Sequence, residues 1–185
     1  MTTIFIAGSI SISRLHDKVK QRIAKIAESD FDVVVGDADG ADTSIQKSLV
    51  ESGAKRVTVY CSGDQPRNNL AEWPVKSIYP NAAPGSRAFF TAKDLEMARA
   101  SDFGLMVWDT KSTGTLSNVI ELLDHDKKSV VFVNKTKEFV TVSDVPGLQH
   151  LLTMMSDHAR AKAEDKIGLN ARLQTLSQKQ FSLAI

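Results

Sequence analysis

The chain has 185 residues, 42% of them hydrophobic and 24% charged, with 23 basic and 22 acidic side chains and a formal charge of +1. At roughly 150 residues per domain this is one domain with an additional helical element, and the composition excludes disordered, collagen-like and disulfide-scaffold classes. A near-neutral balance without a Lys/Arg run offers no electrostatic footprint for a long polyanion, so extended nucleic acid and membrane surfaces are not expected partners and a small ligand is. The single Cys61 cannot form an internal disulfide. The first residues lack the basic and long apolar regions of a signal peptide, and no apolar run approaches the ~18 residues of a membrane span. The expected compartment is the reducing cytoplasm.

In chain order, apolar runs at residues 3–7, 32–35, 57–60, 103–108 and 130–133 are nearly continuous, as in strands of a parallel sheet buried on both faces. Helical spacing fills the intervals. Leu15, Val19, Ile23 and Ile26 mark a first helix ending near Glu28, with Ser13 as its N-cap. A second helix covers residues 41–52, with Gly53 as its stop. A third covers 87–100, and a fourth runs from Thr115 or Leu116 to about Asp126. Residues 62–86 hold four of the five prolines and read as a long loop with room for a short strand at 75–79. After another short strand at 139–142, Leu148, Leu151, Leu152 and Met155 mark a helix beginning near Asp144. A weaker helical stretch follows at about 158–181. The predicted architecture is α/β, a Rossmann-like open and mainly parallel five-stranded sheet with helices on both faces plus C-terminal helices.

Ligands of such sheets bind beyond the carboxyl ends of the strands, so the residues following each strand are the first candidates. Gly8-Ser9 follows the first strand, the segment from Gly36 through Asp37, Asp39, Gly40 and Asp42 the second, and Asp109 through Ser112, Gly114 and Thr115 the fourth. Gly114-Thr115 opens a helix, where free N–H groups and the positive dipole end favour a phosphate. The plainer alternative is that Ser112, Thr113 or Thr115 only caps the helix. Neither a Gly-x-Gly-x-x-Gly nor a Gly-Lys-Ser/Thr sequence occurs, which argues against classical dinucleotide binding and P-loop chemistry. The Asp37, Asp39, Asp42 cluster lacks the later ligands of a calcium loop, since Ala41 and Ser48 occupy two of those positions. Asp39 and Asp42 suit sugar hydroxyls or a base edge, although Asp42 could equally cap the second helix and Asp39-Gly40 could be a turn. Arg87 and Lys93 would present charge from the third helix. His16, His125, His150 and His158 have no ligand spacing, so no metal is expected, and nothing calls for a cofactor.

The sequences Ile6-Ala7-Gly8-Ser9, Gly36-Asp37-Ala38-Asp39-Gly40-Ala41-Asp42 and Ser101 to Asp109 running into Ser112-Thr113-Gly114-Thr115 together resemble the SLOG superfamily. That group contains Rossmann-like nucleotide-binding proteins, the DNA-processing protein DprA and the "lonely guy" phosphoribohydrolases. The resemblance covers about residues 3–134 and is greatest to small stand-alone bacterial members. The strand–Asp–loop–Gly-Thr–helix segment is also similar to nucleoside 2-deoxyribosyltransferases. In both enzyme groups an essential Glu stands three residues after the Thr of Gly-Thr, and here that position is Asn118. An amide is neither a nucleophile nor a base, so the resemblance points to binding rather than N-glycosidic cleavage.

The sequence is therefore read as a nucleotide-binding domain over residues 1–143 with a helical extension over 144–185. The ligand, a nucleotide or nucleotide derivative, would be held by Gly8, Ser9, Asp39, Gly40, Asp42, Arg87, Lys93, Asp109, Ser112, Gly114, Thr115 and Asn118, with phosphate at Gly114-Thr115 and the Gly8-Ser9 loop. The alternative is an N-glycosidic hydrolase or transferase that draws its carboxylate from Glu121, Asp109 or Asp39. A third reading is an interaction module built on the C-terminal helices. The stripe Leu148, Leu151, Leu152, Met155 serves either the core or a homodimer or higher homo-oligomer, which the resemblance also implies.

Overall fold

A computed structural model describes residues 1–183. Seven strands form one sheet in the order β4-β3-β2-β1-β5-β6-β7: β1 Thr3–Gly8, β2 Asp32–Gly36, β3 Val57–Ser62, β4 Val75–Ile78, β5 Phe103–Trp108, β6 Lys128–Val133 and β7 Glu138–Val142. All neighbours are parallel except β6 and β7. The expected five strands become seven because the short segments at 75–78 and 138–142 join the two edges. The helices are α1 Asp17–Glu28, α2 Ala41–Glu51, α3 Arg87–Ala100, α4 Thr113–Asp124, α5 Val145–Leu152, α6 Asp157–Ile167 and α7 Leu169–Leu183. None of the described helices is long and apolar enough to cross a membrane.

The alternation of side chains along each strand divides the core in two. Ile4, Ile6, Val33, Val35, Leu105 and Val107 face α1 and α2, where they meet Val19, Ile23, Ile45 and Leu49. Phe5, Val34, Met106 and Trp108 face the opposite way and meet Met97 of α3 and Leu116, Val119 and Ile120 of α4. Helices thus cover both faces. Leu148, Leu151, Leu152 and Met155 belong to this second cluster, 0%, 0%, 1% and 7% exposed. The stripe is core packing within the chain and is not available to pair subunits. Ala163, Leu169 and Leu176 extend the same cluster, so α5–α7 share a core with the sheet.

Helix starts follow local capping chemistry. Ser86, Ser112, Asp144 and Ser156 accept from the first-turn N–H groups of α3, α4, α5 and α6. Two expectations shift. The cap of α1 is His16, whose side chain accepts from the Lys18 N–H, rather than Ser13. The weak stretch at 158–181 is two helices, broken where Gly168 takes a left-handed conformation at φ +60°.

Strands β1 to β4 run outward from the sheet centre in one direction and β5 to β7 in the other, so the order reverses between β1 and β5. Gly8 pairs with Val107 there, and a ligand crevice is expected beyond these two strand ends. Gly40, the residue before α2, shapes one wall. Its φ of +76° and ψ of −118° suit glycine, and a Cβ would lie 2.0 Å from the Ile10 carbonyl oxygen. Gly40→Ala should destabilise the fold by about 3 kcal/mol in urea unfolding, the upper range for backbone strain. Gly53 also has positive φ, +67°, but open space around its Cβ position, and Gly53→Ala should cost only about 1 kcal/mol. Equal losses would show that the Ile10 contact does not constrain the wall.

Candidate functional site

The crevice at the strand-order reversal is a cleft of about 380 Å³. It gathers Gly8, Asp42, Arg87, Lys93, Ser112, Gly114, Thr115 and Asn118 from the sequence-predicted set, with Ile10, Arg67, Phe90 and Asp94 beside them. A hollow of similar size between α1 and α2 holds none of the predicted residues.

The phosphate-type end is built at the start of α4. The Ser112 hydroxyl accepts from the Thr115 N–H at 3.4 Å and lies 3.2 Å from the Thr115 hydroxyl, which in turn lies 3.2 Å from that of Ser9. Ser9 also accepts from the Asp109 N–H at 3.1 Å. This chain of hydroxyls joins β1, the β5–α4 loop and α4. Both alternatives for Ser112 therefore meet in one residue, which caps the helix and lines the cleft. Arg87 donates to the Thr113 hydroxyl at 3.1 Å and has no carboxylate partner among the described residues. Gly114 leaves the approach open, since a Cβ there would come no nearer than 4.0 Å to another side chain.

Asn118 sits one turn further along α4. It is 8% exposed, lines the cleft, and its amide has no hydrogen-bond partner among the described residues. Its two donors and one acceptor, unused by the described residues, open into the cleft and are set up for a ligand.

Beneath the cleft lies a buried charge cluster. The Lys93 ammonium is 2.8 Å from Asp94 and 3.9 Å from both Asp37 and Asp42. Burial works against its charge, but the surrounding carboxylates, Asp94 foremost, outweigh burial and raise its pKa. Gly36 makes this possible, because a Cβ there would stand 2.3 Å from an Asp42 oxygen and 2.7 Å from the Lys93 nitrogen. Asp42 accepts from the Ala38 N–H rather than capping α2. Its carboxyl is pushed up to about 6 by burial, only partly offset by Lys93. Asp37 also pays for burial, but the Arg67 side chain and N–H, together with Lys93, bring its pKa below the usual carboxylate range.

Arg67 is a functional candidate that the sequence reading did not select. It holds Asp37 through Nε at 3.1 Å, Nη2 at 2.8 Å and its backbone N–H at 3.0 Å, and its guanidinium lies 4.8 Å from the Phe90 ring centroid. The available signal was its place in the Pro-rich loop after β3, a position where long loops commonly carry function.

The remaining predicted residues lie off the cleft lining. Ser9 is fully buried beneath it. Asp39 is exposed and accepts from the Asn68 amide at 3.0 Å, while Gly40 is occupied in shaping the loop. Asp109 accepts from the Ser11 hydroxyl at 2.6 Å and from the Lys111 and Ser112 N–H groups at 2.8 and 2.6 Å. Burial raises its pKa, but these hydrogen bonds win and lower it. It organises the β5–α4 loop. Glu121 points away toward α7, 3.1 Å from the Arg172 guanidinium and 3.3 Å from His125. None of the three carboxylates proposed for glycosidic chemistry lines the cleft.

Neither a family model nor a curated protein sequence matches the chain. Among solved structures, DNA processing protein A from Helicobacter pylori superposes with a TM-score of 0.55 over 89% of this chain and 81% of its own, at 18% identity. The two chains share a fold. That likeness supports a fold of the kind expected from the SLOG resemblance. The structure of the Helicobacter protein was described for its unique single-stranded DNA binding mode. This overturns the expectation that extended nucleic acid is excluded. Net charge sums the whole surface, whereas a strand meets only local groups, and here Arg87 and Arg67 both line the cleft.

The buried carboxylates set opposing pH trends. Asp42 rises from 3.8 to about 6 on folding, so the native chain holds a proton that the unfolded chain has released, and stability falls as pH rises across that interval. Asp37 and Asp109 are lowered. Their contribution is full above the ordinary carboxylate range and is lost as pH falls through the depressed values. Asp42→Asn removes only the first trend. The stability of this variant relative to the native chain should improve by up to about 3 kcal/mol between pH 4 and pH 7.5. Thermal unfolding at a series of pH values checks this, and parallel curves would refute it.

Proposed function

We propose that the protein binds a nucleotide at the carboxyl edge of its sheet, with phosphate at the N-terminus of α4 and the sugar or base against Asn118. The observation that carries this reading is Asn118, a residue nine-tenths buried whose amide has no partner among the described residues and opens into the same cleft as the Gly114 backbone and Arg87. Arg87 supplies a cation that has no carboxylate partner among the described residues, and the helix dipole adds to it. Arg67 and Phe90 form a flat, partly exposed stack suited to a base. The Gly8-Ser9 loop contributes indirectly, because buried Ser9 positions Thr115. The buried Cys61 thiol accords with a reducing, cytoplasmic setting.

Binding is favoured over N-glycosidic cleavage because the carboxylates lining the cleft among the described residues are both paired. Asp42 and Asp94 face Lys93, and Asn118 occupies the position where the resembling enzymes carry glutamate. A second reading rests on the likeness to DNA processing protein A, in which the bound nucleotide is one unit of single-stranded DNA.

Titration with nucleoside 5′-monophosphates and with a fluorescent oligothymidylate tests both readings. Gly114→Asp suits the purpose, since the position has room for a side chain and a carboxylate at a helix N-terminus favours the fold. The variant should lose at least about tenfold in affinity, equivalent to about 1.4 kcal/mol, with its melting temperature unchanged or raised. Unaltered affinity would place the site elsewhere. Tight oligothymidylate binding with no mononucleotide binding would favour the second reading, and free base released in proportion to protein would restore the enzymatic one.

A further inference from the structure

The cleft does not stop at Asn118. A second hollow of about 190 Å³ adjoins it, and the two share Arg87, Gly114 and Asn118 as lining. Its far wall is Arg172, carried by α7. We propose that this hollow is a second phosphate subsite, so that the ligand of the cleft is a nucleoside 5′-diphosphate rather than a monophosphate; this rests on the nucleotide-binding reading above.

Two guanidinium groups facing one small hollow make a surface complementary to a doubly charged anion. Arg172 donates through Nη1 to the Ser117 hydroxyl at 2.7 Å and through Nη2 to Glu121 at 3.1 Å. A guanidinium has five N–H donors, so part of its fork is unused. Burial lowers its pKa, with Glu121 and Asp124 opposing that shift without cancelling it. Arg87 has a hydroxyl partner and no carboxylate partner among the described residues. Asn118, buried and unpartnered, lies between the two arginines on the lining common to both hollows.

The geometry along α4 matches two successive phosphates. Ser117, which holds Arg172, is three residues beyond Gly114, about 4.5 Å along the helix axis. A first phosphate at the Gly114 backbone and a second between Arg87 and Arg172 would lie along one helix face. The carboxylate lining the second hollow, Asp94, is paired with Lys93 at 2.8 Å.

Calorimetric titration with adenosine 5′-monophosphate and 5′-diphosphate, on the native chain and on Arg172→Gln, tests the subsite. Glutamine preserves a hydrogen bond to Ser117 and removes the charge. The native chain should prefer the diphosphate by about tenfold or more, and in the variant that ratio should fall toward one. Glu121→Gln supplies an independent variant, because it removes the anion competing for Arg172. It should raise diphosphate affinity several-fold and leave the monophosphate as it was. Equal native affinities for the two nucleotides, or an Arg172→Gln variant that weakens both alike, would overturn the subsite while leaving the nucleotide reading intact. A Glu121→Gln variant with unchanged or reduced diphosphate affinity would count equally against it. Binding of neither nucleotide to the native chain would defeat the nucleotide reading itself.

Discussion

The ammonium of Lys93 fixes the floor of the cleft. It stands among Asp37, Asp42 and Asp94, at 3% exposure, and such a charge is tolerable in an interior only when its partners are fully in place. Each partner comes from a different part of the chain. Asp37 follows β2, Asp42 belongs to the first turn of α2, and Asp94 is its own neighbour on α3. Asp37 passes the constraint on to Arg67 and so to the loop after β3. Removal of any one carboxylate leaves the others and the ammonium to rearrange. The positions of the α2 start, the α3 face and the Arg67 loop are thus one electrostatic problem rather than three.

Above that floor the cleft is built from neutral donors and acceptors. Hydroxyls of Ser9, Ser112 and Thr115 satisfy one another, and Asp109 satisfies the turn behind them. With these groups committed, the side chains left for a ligand are those without strong partners, Asn118 and Arg87 foremost. The same accounting separates residues that shape the site from those that meet its occupant. Asp39, Asp109 and Glu121 are carboxylates with partners at hydrogen-bond distance, and their roles are structural in consequence.

The central strands were legible because burial on both faces demands unbroken apolar runs, and Val33-Val34-Val35 or Leu105-Met106-Val107 admit few other readings. The edge strands were less visible for the opposite reason: β4 and β7 each present exposed positions, so their pattern is diluted. The break at Gly168 was not legible, because the weak apolar spacing on either side of it runs as one helical stretch. The α4 N-terminus was legible, as strand, loop and Gly-Thr are local in sequence. Arg67 and Arg172 were not. They reach their partners across 30 and 55 residues respectively, and only packing reveals which distant side chains converge. Asp42 and Lys93 were named from sequence for their position, but their mutual burial required the space that Gly36 leaves in three dimensions.

The placement of Arg172 has a temporal consequence. A chain emerging from the ribosome completes β1, β5 and α4 well before α7 exists, and local βαβ units can form as they appear. The bond from Arg172 to Ser117 spans 55 residues and cannot form until α7 has been synthesised. The near end of the cleft is therefore assembled early and its far wall last. During synthesis the groove is open on that side until α7 has been made.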